Sequence, residues 1–550
     1  MSQRMRGQPM IVLGEDAQRL KDRDAQSHNI SAARAVADSV KSTLGPKGMD
    51  KMLVNDLGDI TVTNDGVTVL REMTIDNPTA SMLVEVAETQ EDEAGDGTTT
   101  AVTVAGELLK NAEALVDEEV HPTSIIRGFD LASEQARAEL DDIAVDVDPE
   151  DEAILQSVAG TSMTGKGAEL ERDVLVDLVV RAVQRVTVAS DDGSFVSDLD
   201  ALDIRTESGR AVAESELVAG GVVDQDPVHP TMPTTVADAE ILLLDRGIKV
   251  TQTDTDGTFS LDDPAQKQAI VDREDEQLRE LVDTIADSGA NVVFCQNGID
   301  ELAHRYLAEQ GILAVRRVKK SEIEFLAELL DTRLVANFDA ITPDDVASGT
   351  VTRDAEDEQF VVEGPGHGAT LFLRASTDHV VDELERGVGD ALDVVSATVA
   401  DGQVLAGGGA VEVELARRVR DYADSVPGRE QLAVEAFADS LEVVPRVLAA
   451  NAGLDAIDAL VDLRTAHDGG DEHAGLDVYT GDVVDTFEAG VVEPASAKRQ
   501  ALGSATEAAT LVLKIDDIIA ADELSTSAGG EEEGGAPGGM GGMGGMGGAM

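Results

Sequence analysis

Gly95-Asp96-Gly97-Thr98-Thr99-Thr100 brings two glycines, a carboxylate and three hydroxyls into one short run. Glycines let backbone N–H groups approach a phosphate, and a helix opened by threonines turns its N-terminus toward an anion. Asp96 is then placed to hold Mg²⁺, which favours one or two carboxylates together with phosphate oxygens and water. A plain turn followed by threonine capping explains one Gly and one Thr but not the whole string.

Other strings are weaker alone. Thr43-Leu44-Gly45-Pro46-Lys47-Gly48 sits where a helix stops, and a Gly-Pro stop is ordinary punctuation. Thr63-Asn64-Asp65-Gly66 has the chemistry of a tight turn, so Asp65 gains interest only beside a nucleotide. Gly160 to Gly167 nearly fits the Walker A spacing, but Gly167 stands where a Ser or Thr must bind Mg²⁺, and no buried strand precedes it. It is not a P-loop, although Lys166 is able to meet a phosphate as a point charge. Asp390 faces away from the apolar stripe Leu384, Val388, Leu392, Val395 and Val399, as a solvated acid does. Gly387 and Gly389 in the same helix cost about 1 kcal/mol each and suggest a close approach there. The eight histidines show no metal-ligand spacing, and no Ser/His/Asp or Cys/His grouping supports a hydrolytic nucleophile. Cys295, the single cysteine, lies in the apolar run Asn291 to Gln296 and reads as a buried strand residue.

The elements that must position these residues follow from periodicity. Ser31 to Leu44 is helical with Ser31 as its N-cap, and a strand pair follows at Met52 to Asn55 and Ile60 to Thr63. Helices at Ala80 to Glu93 and Thr99 to Val116 flank the Gly-Asp-Gly loop. Breaks at Asp146 to Glu150 and at Gly220-Gly221 read as hinges. Strands at Glu240 to Leu244, Asn291 to Phe294 and Ile312 to Val315 then alternate with helices, the pattern of an α/β domain. Asp378 to Ala400 is a long helix, and Gly407-Gly408-Gly409 marks the return to helix-rich sequence. The helix-rich ends suggest one discontinuous domain built from both halves of the chain, and the Gly/Met repeat Gly529 to Met550 has too few apolar groups to order itself.

Composition narrows the partners. With 109 Asp+Glu against 42 Lys+Arg, the net charge of −67 repels phosphate backbones and anionic lipid, so nucleic acid and membrane are not expected partners. The acids are spread along the chain, which fits a high-salt cytoplasm. At about 1 M salt the Debye length falls to about 3 Å and the self-repulsion is screened, so dilute buffer is expected to destabilise the protein. No run is long enough to cross a bilayer, and Met10 to Leu13 is too short for a signal-peptide core; the protein is expected to be soluble and cytoplasmic.

Taken in order, TLGPKGMDKML (Thr43 to Leu53), TNDGVTVL (Thr63 to Leu70), GDGTTT (Gly95 to Thr100), GDALDVV (Gly389 to Val395) and AGGGA (Ala406 to Ala410) resemble the chaperonin family. VVFCQNGIDELAHRYL (Val292 to Leu307), LAVRRVKKSEIE (Leu313 to Glu324) and TSMTGKGAE (Thr161 to Glu169) are similar to its archaeal group II, or thermosome, branch.

The resemblance covers about Gln26 to Glu523 and implies a multidomain chaperonin fold, α+β and α/β. Its implied parts are an equatorial domain at 1–148 and 406–525, an intermediate domain at 149–219 and 370–405, and an apical domain at 220–369. A helical protrusion at about 249–275 and a disordered tail at 526–550 complete it. The resemblance further implies an ATPase that folds proteins in a double ring, with unfolded polypeptides as clients and copies or paralogues of itself as partners. The protrusion would stand in for a separate co-chaperonin lid. By the same likeness Thr43, Leu44, Gly45 and Pro46 cradle phosphates of ATP, Asp96 binds Mg²⁺, and Gly97, Thr98, Thr99 and Thr100 hold the phosphate tail. Asp65 and Asp390 position the attacking water, Lys166 senses the terminal phosphate, and Gly408, Asp477 and Glu493 line the nucleoside side. Clients are implied to meet helices Ile299 to Gln310 and Ser321 to Leu330, whose apolar residues equally suit a core. Two readings of other classes compete: a small-molecule phosphotransferase sharing the Gly-Asp-Gly loop, and a non-catalytic acidic scaffold.

Overall fold

The computed structural model describes residues 19–519, apart from 55–57, 59, 74, 76, 166–170, 191–192, 251–263 and 355–357. The terminal tail and Lys166 lie outside the described residues, as does much of the implied protrusion. Two compact units emerge. The first takes residues 1–28 and 515–550, and its described part pairs Arg19–Lys21 antiparallel with Asp517–Ile519.

The second unit, Asn29–Lys514, contains three separate hydrophobic cores. One is helical and draws on both halves of the chain, from Ile30 to Leu140 and from Leu405 to Leu513. Its central helix, Thr98–Asp117, is buried on nearly every turn. The edge-to-face pair Phe129 and Phe437, with centroids 6.0 Å apart, locks helix Pro122–Ile143 to helix Glu430–Leu441. With so few aromatics the packing falls to Ala, Val and Leu, and helices lined by Ala approach closely.

A second core lies on a six-stranded mixed sheet, in the order Leu313–Arg316, Val292–Cys295, Thr235–Leu244, Val346–Arg353, Phe360–Glu363, Gly221–Val223. The first three strands are mutually parallel and the others antiparallel. Val292–Cys295 is buried at all four positions, which is why it reads as a continuous apolar run. Burial pushes the Cys295 thiol up to about 11, so it is inert as a nucleophile. The third core packs helices Glu152–Met163, Arg172–Val186 and Asp378–Asp401 against a sheet in which Ala369–Ala375 lies between Leu202–Ser208 and Glu216–Ala219.

Several sequence expectations need correction. Ser31 is not an N-cap: the helix runs Asp22–Val40 and passes through it, because the polar residues before Ser31 continue the helix without an apolar stripe to announce it. The sequence before strand Val292–Cys295 reads as a helix only over Gln277 to Ala286, whereas the helix begins at Pro264. Its first half is largely polar, with a Gln268–Asp272 hydrogen bond of 2.8 Å and an Arg279–Asp275 ion pair of 3.1 Å at i,i+4 spacing, and Leu278, Val282 and Ile285 are the large apolar residues shown to be buried. A Cβ at Gly389 would meet nothing within 4 Å, so no close approach explains that glycine. In the helices expected to meet clients, Ala303, Tyr306, Leu307, Ile323, Leu326 and Leu329 are core residues, and Leu302 is the one large apolar side chain that is exposed, at 38%.

Candidate active site

Four local devices shape one cavity of about 470 Å³ in the second unit. At the first, a 3₁₀ turn Lys41–Thr43 ends in an extended Leu44 and a left-handed Gly45 (φ 78°). Asn451 clamps the loop by donating Nδ2 to the carbonyls of Lys41 (3.1 Å) and Leu44 (2.9 Å). A side chain at Gly45 would have to adopt an unfavourable backbone and would run into Leu448.

The second device is the Gly-Asp-Gly loop. Helix Pro78–Ala94 starts on an Asn77 cap and stops at left-handed Gly95, and Gly97 (φ 84°) opens helix Thr98–Asp117. No side chain caps that second helix, so the N–H groups of its first turn point to the cavity with the positive end of the helix dipole behind them. Buried Gln90 donates Nε2 to the carbonyls of Asp96 (2.7 Å) and Ala497 (3.2 Å), tying the loop to helix Ala495–Lys514.

The two remaining devices carry acids. Asp65 caps the short helix Gly66–Glu72, accepting from the N–H groups of Thr68 (2.9 Å) and Val67 (3.4 Å), so its carboxylate is fixed while lone pairs remain for a water. A Cβ on Gly66 would come within 2.3 Å of Thr99 Oγ1, which makes Gly66 the reason Asp65 and the threonines share a wall. Opposite them, helix Asp378–Asp401 buries its apolar stripe and leaves Asp390 half-buried at the cavity. Asp393, one turn on, keeps solvent contact but lies in a partly dehydrated crevice; that burial, and then the charge of Asp390, push its carboxyl above the usual range.

The far end is built by backbone ladders. Leu405 pairs with Glu493 across antiparallel strands Gln403–Ala406 and Val492–Pro494, and the Leu476 N–H donates to Gly408 at 2.9 Å. Asp477 accepts from the Tyr479 N–H (2.8 Å) and the Thr480 hydroxyl (3.0 Å), contacts that hold its carboxyl below the ordinary value. Burial first, against the opposing pull of Lys498, raises the Glu493 carboxyl above its ordinary value.

Thr43, Leu44, Gly45, Pro46, Asp65, Asp96, Gly97, Thr98, Thr99, Thr100, Asp390, Gly408, Asp477 and Glu493 all line this cavity. Of the residues singled out by sequence, Lys166 alone falls outside the described residues. Gly160 sits inside helix Glu152–Met163, in keeping with the absence of a P-loop there. Glu91, Arg172 and Lys498 also line the cavity and were not legible beforehand. Glu91 accepts from the Thr98 hydroxyl at 2.7 Å, a contact that fixes the first turn of the phosphate-facing helix. Its place in an acidic run gave no local signal.

The cavity thus combines free N–H groups at a helix start, glycines that admit close approach, and carboxylates on opposing walls. That set suits a polyphosphate with a divalent cation and an activated water. No group of three or more His, Cys, Asp or Glu able to hold a metal occurs among the described residues, and Asp96 is one of several single carboxylates that line the cavity. Among the described residues no helix is long and apolar enough to cross a membrane.

Comparison with known proteins agrees with this geometry. The model of the TCP-1/cpn60 chaperonin family matches residues 36–523. Thermosome subunit 2 of Haloferax volcanii is 65% identical over 544 residues, 98% of each chain. Thermosome subunit beta of Halobacterium salinarum is 64% identical over 531 residues, 96% of each chain. A solved open-state monomer of a group II chaperonin from Methanococcoides burtonii is 40% identical with a TM-score of 0.62, covering 76% of this chain and 100% of that one. The helical core assembled from both halves of the chain, the α/β sheet between them and the match along almost the whole sequence lead to one assignment: the chain belongs to the TCP-1/cpn60 chaperonin family.

Proposed function

We propose that the 470 Å³ cavity is where this subunit binds and hydrolyses Mg-ATP, and that hydrolysis there drives the folding cycle. As a thermosome-type chaperonin the chain is an ATPase that assists the folding of other polypeptides in a double ring. The phosphotransferase and scaffold readings fall with that assignment. The observation that carries the site is the convergence of five separated sequence strings on one cavity.

In this reading Gly45, Pro46 and the first turn of helix Thr98–Asp117 hold the phosphates, while Gly408, Asp477 and Glu493 face the nucleoside. Asp96 holds Mg²⁺, which when bound neutralises charge on the phosphate oxygens. Asp65 and Asp390 orient the water in line, and Asp390 takes its proton. Such chemistry asks for positioning and charge compensation, which rigid caps and clamped loops provide. Asp96→Ala is expected to weaken Mg²⁺-dependent ATP binding about tenfold or more while magnesium-free binding changes little. An unchanged magnesium titration of ATP binding, followed by calorimetry, would refute the metal site.

The domain limits at 148, 219, 369 and 405 belong to the same proposal, with hinges near Pro149, Gly220 and Gly407. Gly220 has a φ of 106°, and a Cβ there would come within 2.2 Å of the Val362 carbonyl, so the turn tolerates glycine alone. Relatives designated subunit 2 and subunit beta favour rings that admit sister subunits. We place the built-in lid at about 249–275. Deleting Thr251 to Gln268 is expected to leave ATP hydrolysis intact while ATP no longer shields an enclosed client from added protease; continued shielding would call for a separate lid.

A further inference from the structure

We propose that Arg172 is a catalytic residue of the ATPase: its guanidinium, held over Gly160 at the cavity wall, binds the oxygens of the terminal phosphoryl group. The inference rests on ATP occupying the cavity as argued above.

Arg172 opens helix Arg172–Val186 and is half-buried. It lines the same cavity as Asp65, Asp96 and Asp390. The chain carries 109 acidic residues against 42 basic ones, and most of its arginines are taken up by carboxylates: Arg418, for example, lies within 2.9 Å of Glu139, Asp142, Glu414 and Glu472. The Arg172 guanidinium forms no ion pair or hydrogen bond with any described residue. A guanidinium with no partner among the described residues, set beside several carboxylates in a protein this acidic, leaves its donor fork to an incoming anion.

Lys498 is the other basic side chain on the described wall, and it is already held between Glu412 (2.6 Å) and Glu493 (2.7 Å). It cannot also neutralise a phosphate tail. Arg172 is therefore the described cation that remains for the charge on the ligand.

Two contacts support the terminal phosphate as its partner. Asn64, next to Asp65, donates Nδ2 to the Gly165 carbonyl at 2.9 Å, joining the Thr161 to Gly165 segment to the wall that carries Asp65. A Cβ on Gly160 would lie 2.6 Å from Arg172 Nη2, so the guanidinium rests on the residue that immediately precedes that segment. The same segment also packs against the Gly45-Pro46 loop, where a Cβ on Gly165 would lie 3.1 Å from Pro46 Cα, so the stretch that follows Gly160 touches both the Asp65 wall and the phosphate-facing loop. Transition-state charge collects on the terminal phosphoryl oxygens, and an arginine there accelerates transfer. Because Arg172 comes from the third core and the phosphate loops come from the first, the contact also reports the terminal phosphate to a different body of packed helices.

The test compares Mg-AMP-PNP and Mg-ADP affinity and ATP turnover for the full-length protein in molar KCl. Arg172→Ala is expected to weaken AMP-PNP about tenfold or more, leave ADP within about twofold, and lower kcat at least tenfold. Arg172→Lys should restore part of both, as a point charge without the fork. Gly160→Ala, which displaces the guanidinium without removing it, should weaken AMP-PNP more than ADP and serves if Arg172→Ala does not assemble. Equal loss of AMP-PNP and ADP, or no loss of either, overturns the assignment. Asp96→Ala separates the two levels: if it abolishes magnesium-dependent binding while the Arg172 variants bind AMP-PNP normally, Arg172 alone is wrong. If neither changes binding, the cavity itself is not the nucleotide site.

Discussion

Asp390→Ala is expected to lower ATP turnover about 10²- to 10⁴-fold while Mg-ATP affinity stays within about threefold. The asymmetry follows from where the carboxylate sits. Asp390 projects from the interior of helix Asp378–Asp401, whose apolar stripe is buried and whose end is fixed by left-handed Gly402, so the group is held by a rigid element and not by a loop. It faces the wall that carries the phosphate loops but belongs to none of them. In the proposed mechanism, removing it takes away an interaction made with the attacking water, while the N–H groups of the Thr98 turn and the proposed metal ligand Asp96 remain to bind ground-state ATP. Asp65→Ala should behave differently, because Asp65 also caps helix Gly66–Glu72; stability and turnover fall together, with about 1 kcal/mol of local helix stability at stake. Single-turnover hydrolysis and ATP titration on assembled rings measure the two quantities separately. Turnover within about threefold of the parent would remove Asp390 from the reaction.

Much of the site was legible because its parts are local. Gly45, Gly95, Gly97, Gly408 and Gly409 all adopt positive φ, and a glycine cluster beside a Thr or Asp is visible within a few residues. Asp65 and Asn77 cap helices that start at the next residue, although the sequence reads as a tight turn at Asp65 and as a helix only from Ala80. The four-residue buried strand Val292–Cys295 announced itself by unbroken hydrophobicity. What remained hidden depends on distance in sequence. Lys498 is 86 residues from Glu412, and neither has a local neighbour that distinguishes it from a surface charge. Gln90 reaches across 407 residues to Ala497, and Arg172 is marked by a guanidinium without a partner among the described residues, which only three-dimensional packing reveals. The polar start of helix Pro264–Asp287 escaped for the opposite reason: its support there is charge pairing along the helix, which leaves no apolar period to detect.

Lys498→Met is expected to destabilise the subunit by about 3–5 kcal/mol near neutral pH, more than any other single change considered. Lys498 and Glu412 are each less than 9% exposed, and the ammonium bridges Glu412 and Glu493 at 2.6 and 2.7 Å. Burial alone disfavours the ammonium, yet the two carboxylates outweigh it and hold Lys498 above the usual lysine range, so it stays charged at any working pH. Methionine keeps the length of the side chain but leaves two carboxylates facing each other with little water. The pH dependence has a definite sign. Burial already raises the Glu493 carboxyl, and Lys498 is the main influence drawing it down. Without the lysine it rises further, so the folded state prefers the protonated form, and stability in the variant is greater at low pH and lost as pH rises through the raised value. The destabilisation should therefore shrink between pH 8 and pH 5, and Glu412→Gln added to Lys498→Met should recover part of it even at pH 8. Molar KCl will not rescue the variant, because ions screen buried pairs poorly, whereas breaking the exposed pair Arg181–Asp177 should cost well under 1 kcal/mol in the same buffer. Thermal unfolding of parent, single and double variants against pH, all in molar KCl, measures this directly. A Lys498→Met loss that is the same at pH 5 and pH 8 would show that packing, and not the uncompensated carboxylates, accounts for it.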